Sequence, residues 1–443
     1  MNTLISILFF VILILCIFTI YFTNKKKLRL VEYNKGEYYL LTRNMYFVIF
    51  TVCTGPVFLS SLSLLKYGLW FLVLIFLLFS GKMRMRLETV LIMYGLFFLW
   101  LCYSMTYTMA QRDGYMMLVK YSFPWLFLIL GYSAISNEKD LVVFLKVVNW
   151  VACVYCCFIG GQAFKLMPWF YFGPIARQFI TYAGFADYLT SIFIVPIILY
   201  WLTQDKKYIF CALWMVLSTV LESVRTGMGG MLLVFISSLL LRYKVRALPG
   251  VFFAGAMFIS AILFIPSVNE KFFGEDGDDV TATDIIYGDA LSHDNINTSG
   301  RTATWEMIMD RFYKGHEMRG SGLGMASNYL KYLYKTTGSV ALLHNDYVQI
   351  ISDAGIIGVV LIILFYIAFL LKGINYVVLQ NSSVLVKLTG IMAVSSMSGI
   401  AFSMYYDNVV SHSMSSLVMP FIYLGFFLKF IDLDENNKLI SKH

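Results

Sequence analysis

The stretch DAGIIGVVLIILFYIAFLL, residues 353–371, decides the fold. After Asp353 it carries no charged side chain until Lys372. As a helix rising 1.5 Å per residue it covers roughly 28 Å, close to the ~30 Å hydrocarbon thickness of a bilayer. Runs of the same kind recur at roughly 3–23, 44–61, 63–81, 88–109, 115–134, 141–163, 185–203, 208–224, 227–241, 248–267, 388–406 and 413–430. The whole chain is 59% hydrophobic and only 14% charged, against about 25% charged in an ordinary soluble domain. In lipid the backbone must satisfy its own hydrogen bonds, and the runs are continuous rather than alternating, so helices are expected and a β-barrel is not. The expected fold is an all-α polytopic membrane protein with about 12–13 transmembrane helices.

Charge orients the spans. The first run is preceded by no basic residue and followed by Lys25, Lys26, Lys27 and Arg29, the reverse of a cleaved signal peptide. It is expected to stay as an anchor with its N-terminus outside. On this trace twenty Lys and Arg residues fall in inner segments, among them Arg84, Arg86, Lys206, Lys207, Arg242, Lys244 and Lys372, against five in short outer loops. That bias is the positive-inside pattern, and it accounts for the net charge of +8 without any nucleic-acid partner. All seven cysteines fall in expected spans, so no disulfide framework is implied. Three regions follow: a bundle over 1–267, a large outer loop over 268–352, and further spans with an inner tail over 353–443.

Within the loop, Trp305, Ile308, Met309 and Phe312, then Met325, Tyr329, Leu330 and Leu333, recur at helical spacing. Two amphipathic helices are expected, lying on the outer interface or capping the bundle as a lid. The acidic run 275–279 lacks the ligand spacing of a calcium loop and reads as a solvated turn. No histidine has a His or Cys partner at zinc-ligand spacing, so no metal site is expected.

Three segments can carry chemistry. Lys207 to Arg225 is about 27 Å of helix, so Arg225 in Glu222-Ser-Val-Arg225-Thr-Gly-Met-Gly-Gly230 sits at the outer boundary, at a helix start. A guanidinium with backbone N–H groups and a helix dipole suits a phosphate; the plainer alternative is an arginine snorkelling to headgroups. Arg301, in Ser299-Gly-Arg301-Thr-Ala-Thr-Trp305, opens a loop helix, and Arg319 sits among glycines in Met318-Arg-Gly-Ser-Gly-Leu-Gly324. Either can join an anion site or simply face solvent. His344 stands before Asn345, which can cap the helix running into the 353–371 span. A helix N-terminus disfavours the imidazolium, so His344 would stay neutral and able to take a proton from a hydroxyl; the alternative is a structural histidine at the membrane surface. Lys120 and Lys146 lie one or two turns inside spans and can snorkel out, while Asp407 and His412, in an outer loop, can line a cavity but read first as ordinary interfacial residues.

The order of these features resembles the O-antigen polymerase and O-antigen ligase superfamily of bacterial surface-polysaccharide assembly. The resemblance rests on Val224-Arg225-Thr-Gly, Arg301 with Trp305, Gly320-Ser-Gly-Leu-Gly324, and His344-Asn-Asp-Tyr347 followed by Asp353-Ala-Gly355 and a span, and covers roughly residues 220–372. It implies a GT-C type glycosyltransferase of the bacterial inner membrane, working at the periplasmic face without metal or other cofactor. Its substrates would be glycans on undecaprenyl pyrophosphate, as donor and acceptor, with a chain-length regulator protein as a further partner. Arg225 and Arg301 would hold the donor pyrophosphate and His344 would deprotonate the acceptor hydroxyl, with inversion. Arg177, beside Trp169, Phe170 and Tyr171, together with Arg319 and Tyr347 would be further substrate contacts, and Gly322 and Gly324 would shape the lid. A polymerase is expected, since an outward-starting first span departs from a twelve-span ligase layout. A ligase acting on lipid A–core is the second reading, and a lipid-linked glycan flippase the third. Transporters place ionisable groups near the midplane, whereas here they gather at the outer boundary.

Overall fold

The computed structural model describes residues 31–34, 37–39, 43–54, 85–163, 182–221, 224–273, 301–338 and 342–440. The expected spans at 3–23 and 63–81, Arg177 with its aromatic loop, and the acidic run 275–279 lie outside them. The fold is an all-α polytopic membrane protein. A small antiparallel hairpin, β1 (Val31–Asn34) with β2 (Glu37–Tyr39), is the exception among the described residues. Its alternation is too short to stand out in a polar segment between spans.

The helices follow the apolar runs. They are α1 (Arg43–Thr54), α2 (Thr89–Ser104), α3 (Gln111–Ala134), α4 (Glu138–Ala163), α5 (Tyr182–Ile192) continued by α6 (Ile194–Thr203), and α7 (Lys207–Leu221). Next come α8 (Arg225–Tyr243), α9 (Leu248–Phe264) and α10 (Pro266–Phe273), the loop helices α11 (Arg301–Ile308) and α12 (Met325–Thr337), then α13 (Asp346–Ile374), α14 (Val384–Tyr406) and α15 (Val418–Ile440).

Among the described residues six helical stretches are long and apolar enough to cross a membrane, or seven if the bent pair Val410–Ser416 and Val418–Asn436 is one span. One of the six, Arg225–Phe264, has 40 residues. At ~60 Å it is twice the hydrocarbon thickness, so it cannot be a single straight crossing. It folds back at the 3-10 turn Lys244–Ala247, where Lys244 adopts φ 56°. Met228, near the start of α8, consequently packs in one cluster with Ile262 at the far end of α9 and with Val268 and Phe273 of α10. The two spans expected over 227–241 and 248–267 are therefore an antiparallel pair.

Helix α14 is the centre of the bundle, packed against α8, α15, α5 and α13 and buried over most of its length. Lipid tails are as apolar as leucine, so close backbone approach must supply the association between spans. Small residues do this where α8 crosses α14: a Cβ added to Gly399 would lie 2.9 Å from the Gly230 carbonyl oxygen. On the outside, α9 leaves Phe252, Phe253 and Phe264 exposed, which suits a lipid-facing helix rather than a surface in water.

The two ends of α13 differ in chemistry. Near its C-terminus Lys372 Nζ meets Glu88 Oε2 at 2.8 Å, Arg86 pairs with Glu435, and the Tyr376 hydroxyl donates to Glu435 at 3.0 Å. Arg86 and Lys372, both expected on the inner side, thus share one end of the bundle. At the other end α13 opens at Asp346 rather than at 353, so the His344-Asn-Asp-Tyr motif leads directly into the span. A kink at Gly355 (φ 70°, ψ −172°) divides a polar first turn pair from the apolar remainder, which is why the apolar run alone suggests the later start.

The two amphipathic loop helices are present, and their apolar faces meet each other. Ile308 and Phe312 pack with Ala326, Leu330 and Leu343, and the Trp305 indole donates to the Leu343 carbonyl at 2.8 Å. This lid is tied to the bundle by polar contacts. The Asp353 carboxylate accepts from the backbone N–H of Gly324 (2.9 Å) and Ala326 (3.0 Å), capping α12 from the span beneath it. Gly324 takes φ 87° there, with its α-carbon against Gly114 of α3. Lys331 of α12 pairs with Asp113 of α3, which also accepts from Asn328 at 2.8 Å.

Candidate active site

The lid end of the bundle gathers Arg225, Arg301 and His344 around one point, the C-terminal end of α14 at Tyr406 and Asp407. Each arrives by a different route. Arg225 is the first residue of α8, and the glycines after it serve packing: a Cβ on Gly229 would strike the Phe402 ring and one on Gly230 would strike Thr190. They seat the start of α8 against α14 and α5, with the Arg225 guanidinium 6.0 Å from the centre of the Phe272 ring. In the fold these two glycines bring helices together.

Arg301 is the first residue of α11 and donates through Nη1 to the Tyr406 carbonyl at 2.7 Å. It lies near enough to Arg225 for the two cations to repel, and near enough to Asp407 to be attracted. Partial burial draws the Arg301 guanidinium below its ordinary pKa, and the Asp407 charge opposes that pull. It stays charged, since arginine starts so high. With one of its five N–H donors taken by Tyr406, the remainder of the fork can meet a ligand oxygen.

His344 has φ 52°, in the left-handed region that non-glycine residues seldom adopt. That strained backbone is held at its own N–H and at the residue that follows. Its own N–H donates to Asn408 Oδ1 at 3.0 Å, and the Asn345 side chain accepts from Val348 N at 3.0 Å, the cap expected from the sequence. The ring Nδ1 lies 3.0 Å from Asp407 Oδ1. Asp407 is itself buried, and its Oδ1 also accepts from Asn408 N at 2.8 Å. Burial alone would raise its carboxyl pKa, but the hydrogen bonds from His344 and Asn408 outweigh it and hold the group below the ordinary carboxylate range. A carboxylate at Nδ1 makes that nitrogen the donor and leaves Nε2 as the basic one. The pair has the geometry that a histidine base with an orienting carboxylate requires.

Asp407 corrects the expectation of an ordinary interfacial residue. The signal for it was its place between two spans, at the same expected end as His344. Two further buried acids stand close by. Asp346 accepts from Val410 N at 3.0 Å, and Asp187 of α5, which the sequence did not bring forward, lies near both Asp407 and Asp346. Among the described residues no group of three or more His, Cys, Asp or Glu side chains is arranged to hold a metal.

The other candidates are placed differently. The Tyr347 hydroxyl donates to the Ala401 carbonyl at 2.8 Å, pinning α13 to α14. Arg319 stacks on Tyr107 at 5.1 Å, and its carbonyl accepts from the Tyr107 hydroxyl. Its segment is pressed against the Gly355 kink, and its partners among the described residues are separate from the Arg225, Arg301 and His344 group. Arg177 lies outside the described residues.

No curated protein matches the chain. Residues 210–363 match the family model described as O-antigen ligase. The matched segment runs from α7 into α13 and contains Arg225, Arg301 and His344, while Asp407 lies beyond it. That match covers about a third of the chain and is consistent with the resemblance to the O-antigen polymerase and ligase superfamily.

Proposed function

We propose that the chain is an O-antigen polymerase, a membrane glycosyltransferase that moves a glycan from undecaprenyl pyrophosphate onto a second lipid-linked repeat unit at the periplasmic face. The observation that carries this reading is the convergence of two arginines and the His344–Asp407 pair on the end of α14. In the proposed step, His344 Nε2 takes the proton of the acceptor hydroxyl as that oxygen attacks the anomeric carbon. The bond from that carbon to the pyrophosphate oxygen breaks, with inversion. Arg225 and Arg301 take up the charge appearing on the leaving group, the service a metal ion gives elsewhere. Asp407 keeps Nδ1 protonated, so that Nε2 is the nitrogen presented, and steadies the imidazolium that forms.

A ligase that moves the glycan to lipid A–core is the second reading, favoured by the description of the matching family. The same base and arginines would serve it. Purified protein mixed with lipid-linked repeat units, with no core acceptor and no added metal, separates the two. Growth of a ladder is the result expected of a polymerase. Transfer only when lipid A–core is supplied makes it a ligase, and no transfer with either acceptor rejects both. Accumulation of repeat units on the cytoplasmic side in cells lacking the chain would point instead to a flippase.

A further inference from the structure

Below the lid, between α3, α12, the start of α13 and the turn after α14, lies a cavity of about 470 Å³, its open mouth included. Lys120 and Lys331 line it, with Asp113, Gln349, Asn408 and Ser411. Ser327, three leucines and two methionines form the rest of the wall. Two lining residues, Leu343 and Asn408, are the chain neighbours of His344 and Asp407, so the cavity adjoins the proposed base, and neither Arg225 nor Arg301 lines it.

Two side chains of this lining, Asn408 and Lys120, carry donors with no hydrogen-bond acceptor among the described residues. Asn408 is 2% exposed; its Oδ1 is taken by the His344 backbone N–H, while its Nδ2 has no hydrogen-bond partner among the described residues. Lys120 was expected to snorkel to the headgroups, yet it points into the cavity. Of its acidic neighbours, Asp113 is bonded to Lys331 and Asn328, and Asp346 accepts from the Val410 N–H through Oδ2 and, among the described residues, makes no hydrogen bond to Lys120. An enclosed ammonium and an enclosed amide that lack acceptors are costly to keep. They gain most from a ligand rich in oxygen, and the alternation of polar groups with apolar wall is what a sugar's hydroxyls and C–H faces require.

We infer that this cavity is the acceptor-sugar subsite, in which Lys120 and the Asn408 amide hold hydroxyl or carboxylate oxygens of the acceptor glycan and so present its reacting hydroxyl to His344. The inference rests on the glycosyltransferase reading above and adds which part of the substrate lies on which side of the histidine. The pyrophosphate stands with the arginines. The acceptor sugar stands with Lys120.

The test uses full-length purified protein, with lipid-linked oligosaccharide from a strain deleted for the chain as substrate. Two competitors are titrated: the oligosaccharide released from that lipid by mild acid, and undecaprenyl pyrophosphate. Lys120→Gln should raise the inhibition constant of the released oligosaccharide at least five-fold and leave that of undecaprenyl pyrophosphate unchanged. Arg225→Gln should do the reverse. Should Lys120→Gln not fold, Leu342→Trp decides, because Leu342 lies at the exposed mouth and a larger side chain there narrows the cavity. If the oligosaccharide constant is unmoved while Arg225→Gln still weakens undecaprenyl pyrophosphate, the subsite is wrong and the glycosyltransferase reading stands. A Lys120→Gln effect on the pyrophosphate instead places the leaving group in the cavity and overturns the inference. An Arg225→Gln protein with both constants unchanged removes the underlying reading itself.

Discussion

His344 and Asp407, 63 positions apart in the chain, meet with Nδ1 3.0 Å from Oδ1. The contact joins the start of one span to the end of the next, so it fixes the imidazole against the bundle rather than against the lid. An Asp407→Asn variant keeps the shape and loses the charge, and its amide can turn a donor toward Nδ1, favouring the wrong tautomer. General-base catalysis contributes about 10²–10⁴-fold, and a loss of about 10²-fold or more in turnover is expected. Substrate affinity should change little. Turnover in purified protein, beside a binding measurement for undecaprenyl pyrophosphate, checks this; near wild-type turnover would show that Asp407 is structural.

The same pair sets a pH dependence of stability. The folded pKa of Asp407 lies below its ordinary 3.8, because the bonds from His344 and Asn408 outweigh burial. A carboxyl whose pKa is lower in the folded state adds stability above its unfolded value and loses it as pH falls through the folded one. Its contribution should therefore be complete near neutrality and fade in acid below about pH 4. Melting of wild type and Asp407→Asn in detergent from pH 3 to 7 tests this. The gap in Tm should be widest at neutral pH and close at the acid end; a gap that grew in acid would mean that charge is not what holds Asp407.

Much of this fold was legible because continuous apolar runs leave a membrane helix no alternative, and because the eighteen-residue interval from Lys207 to Arg225 measures a bilayer. Asn345 announced its cap by residue type alone, since the bond it makes is local. What was not legible is what depends on two helices meeting. Nothing along the chain says that Asp407 will face His344, that Gly229 and Gly230 serve Phe402 and Thr190, or that Lys120 turns inward. Periodicity gives a face to a helix but not the identity of its neighbour, and in a span that is apolar on every side even the face is weakly marked.

Arg301 offers a sharper test of the anion site than its removal would. Its fork donates through Nη1 to the Tyr406 carbonyl and makes no other hydrogen bond among the described residues. Arg301→Lys keeps the positive charge beside Arg225 but cannot span both the carbonyl and a phosphate. If Arg301 binds the leaving group through its geometry, Arg301→Lys should weaken undecaprenyl pyrophosphate about ten-fold, the equivalent of ~1.4 kcal/mol. Binding equal to wild type would mean that charge alone is used, and binding as weak as in Arg301→Ala would mean that the fork supplies all of it.

Gly355 lies so close beneath the lid that an added Cβ would stand 2.4 Å from the Met318 carbonyl oxygen. Its φ of 70° with ψ −172° belongs to a region open in practice only to glycine. Gly355→Ala therefore meets two costs at once, backbone strain of about 1–3 kcal/mol and a collision with backbone that cannot rotate away. Gly315 separates the two. It also has positive φ, 82°, but nothing lies within 4 Å of a Cβ placed there. Gly315→Ala should cost only the strain and leave the lid docked, whereas Gly355→Ala should also push the 314–324 segment off the span. Limited trypsin digestion reads this directly, because Arg311, Lys314 and Arg319 all lie in or beside that segment. Cleavage there should be much faster in Gly355→Ala than in Gly315→Ala. Equal rates in the two variants would show that the close approach to Met318 is not what seats the lid.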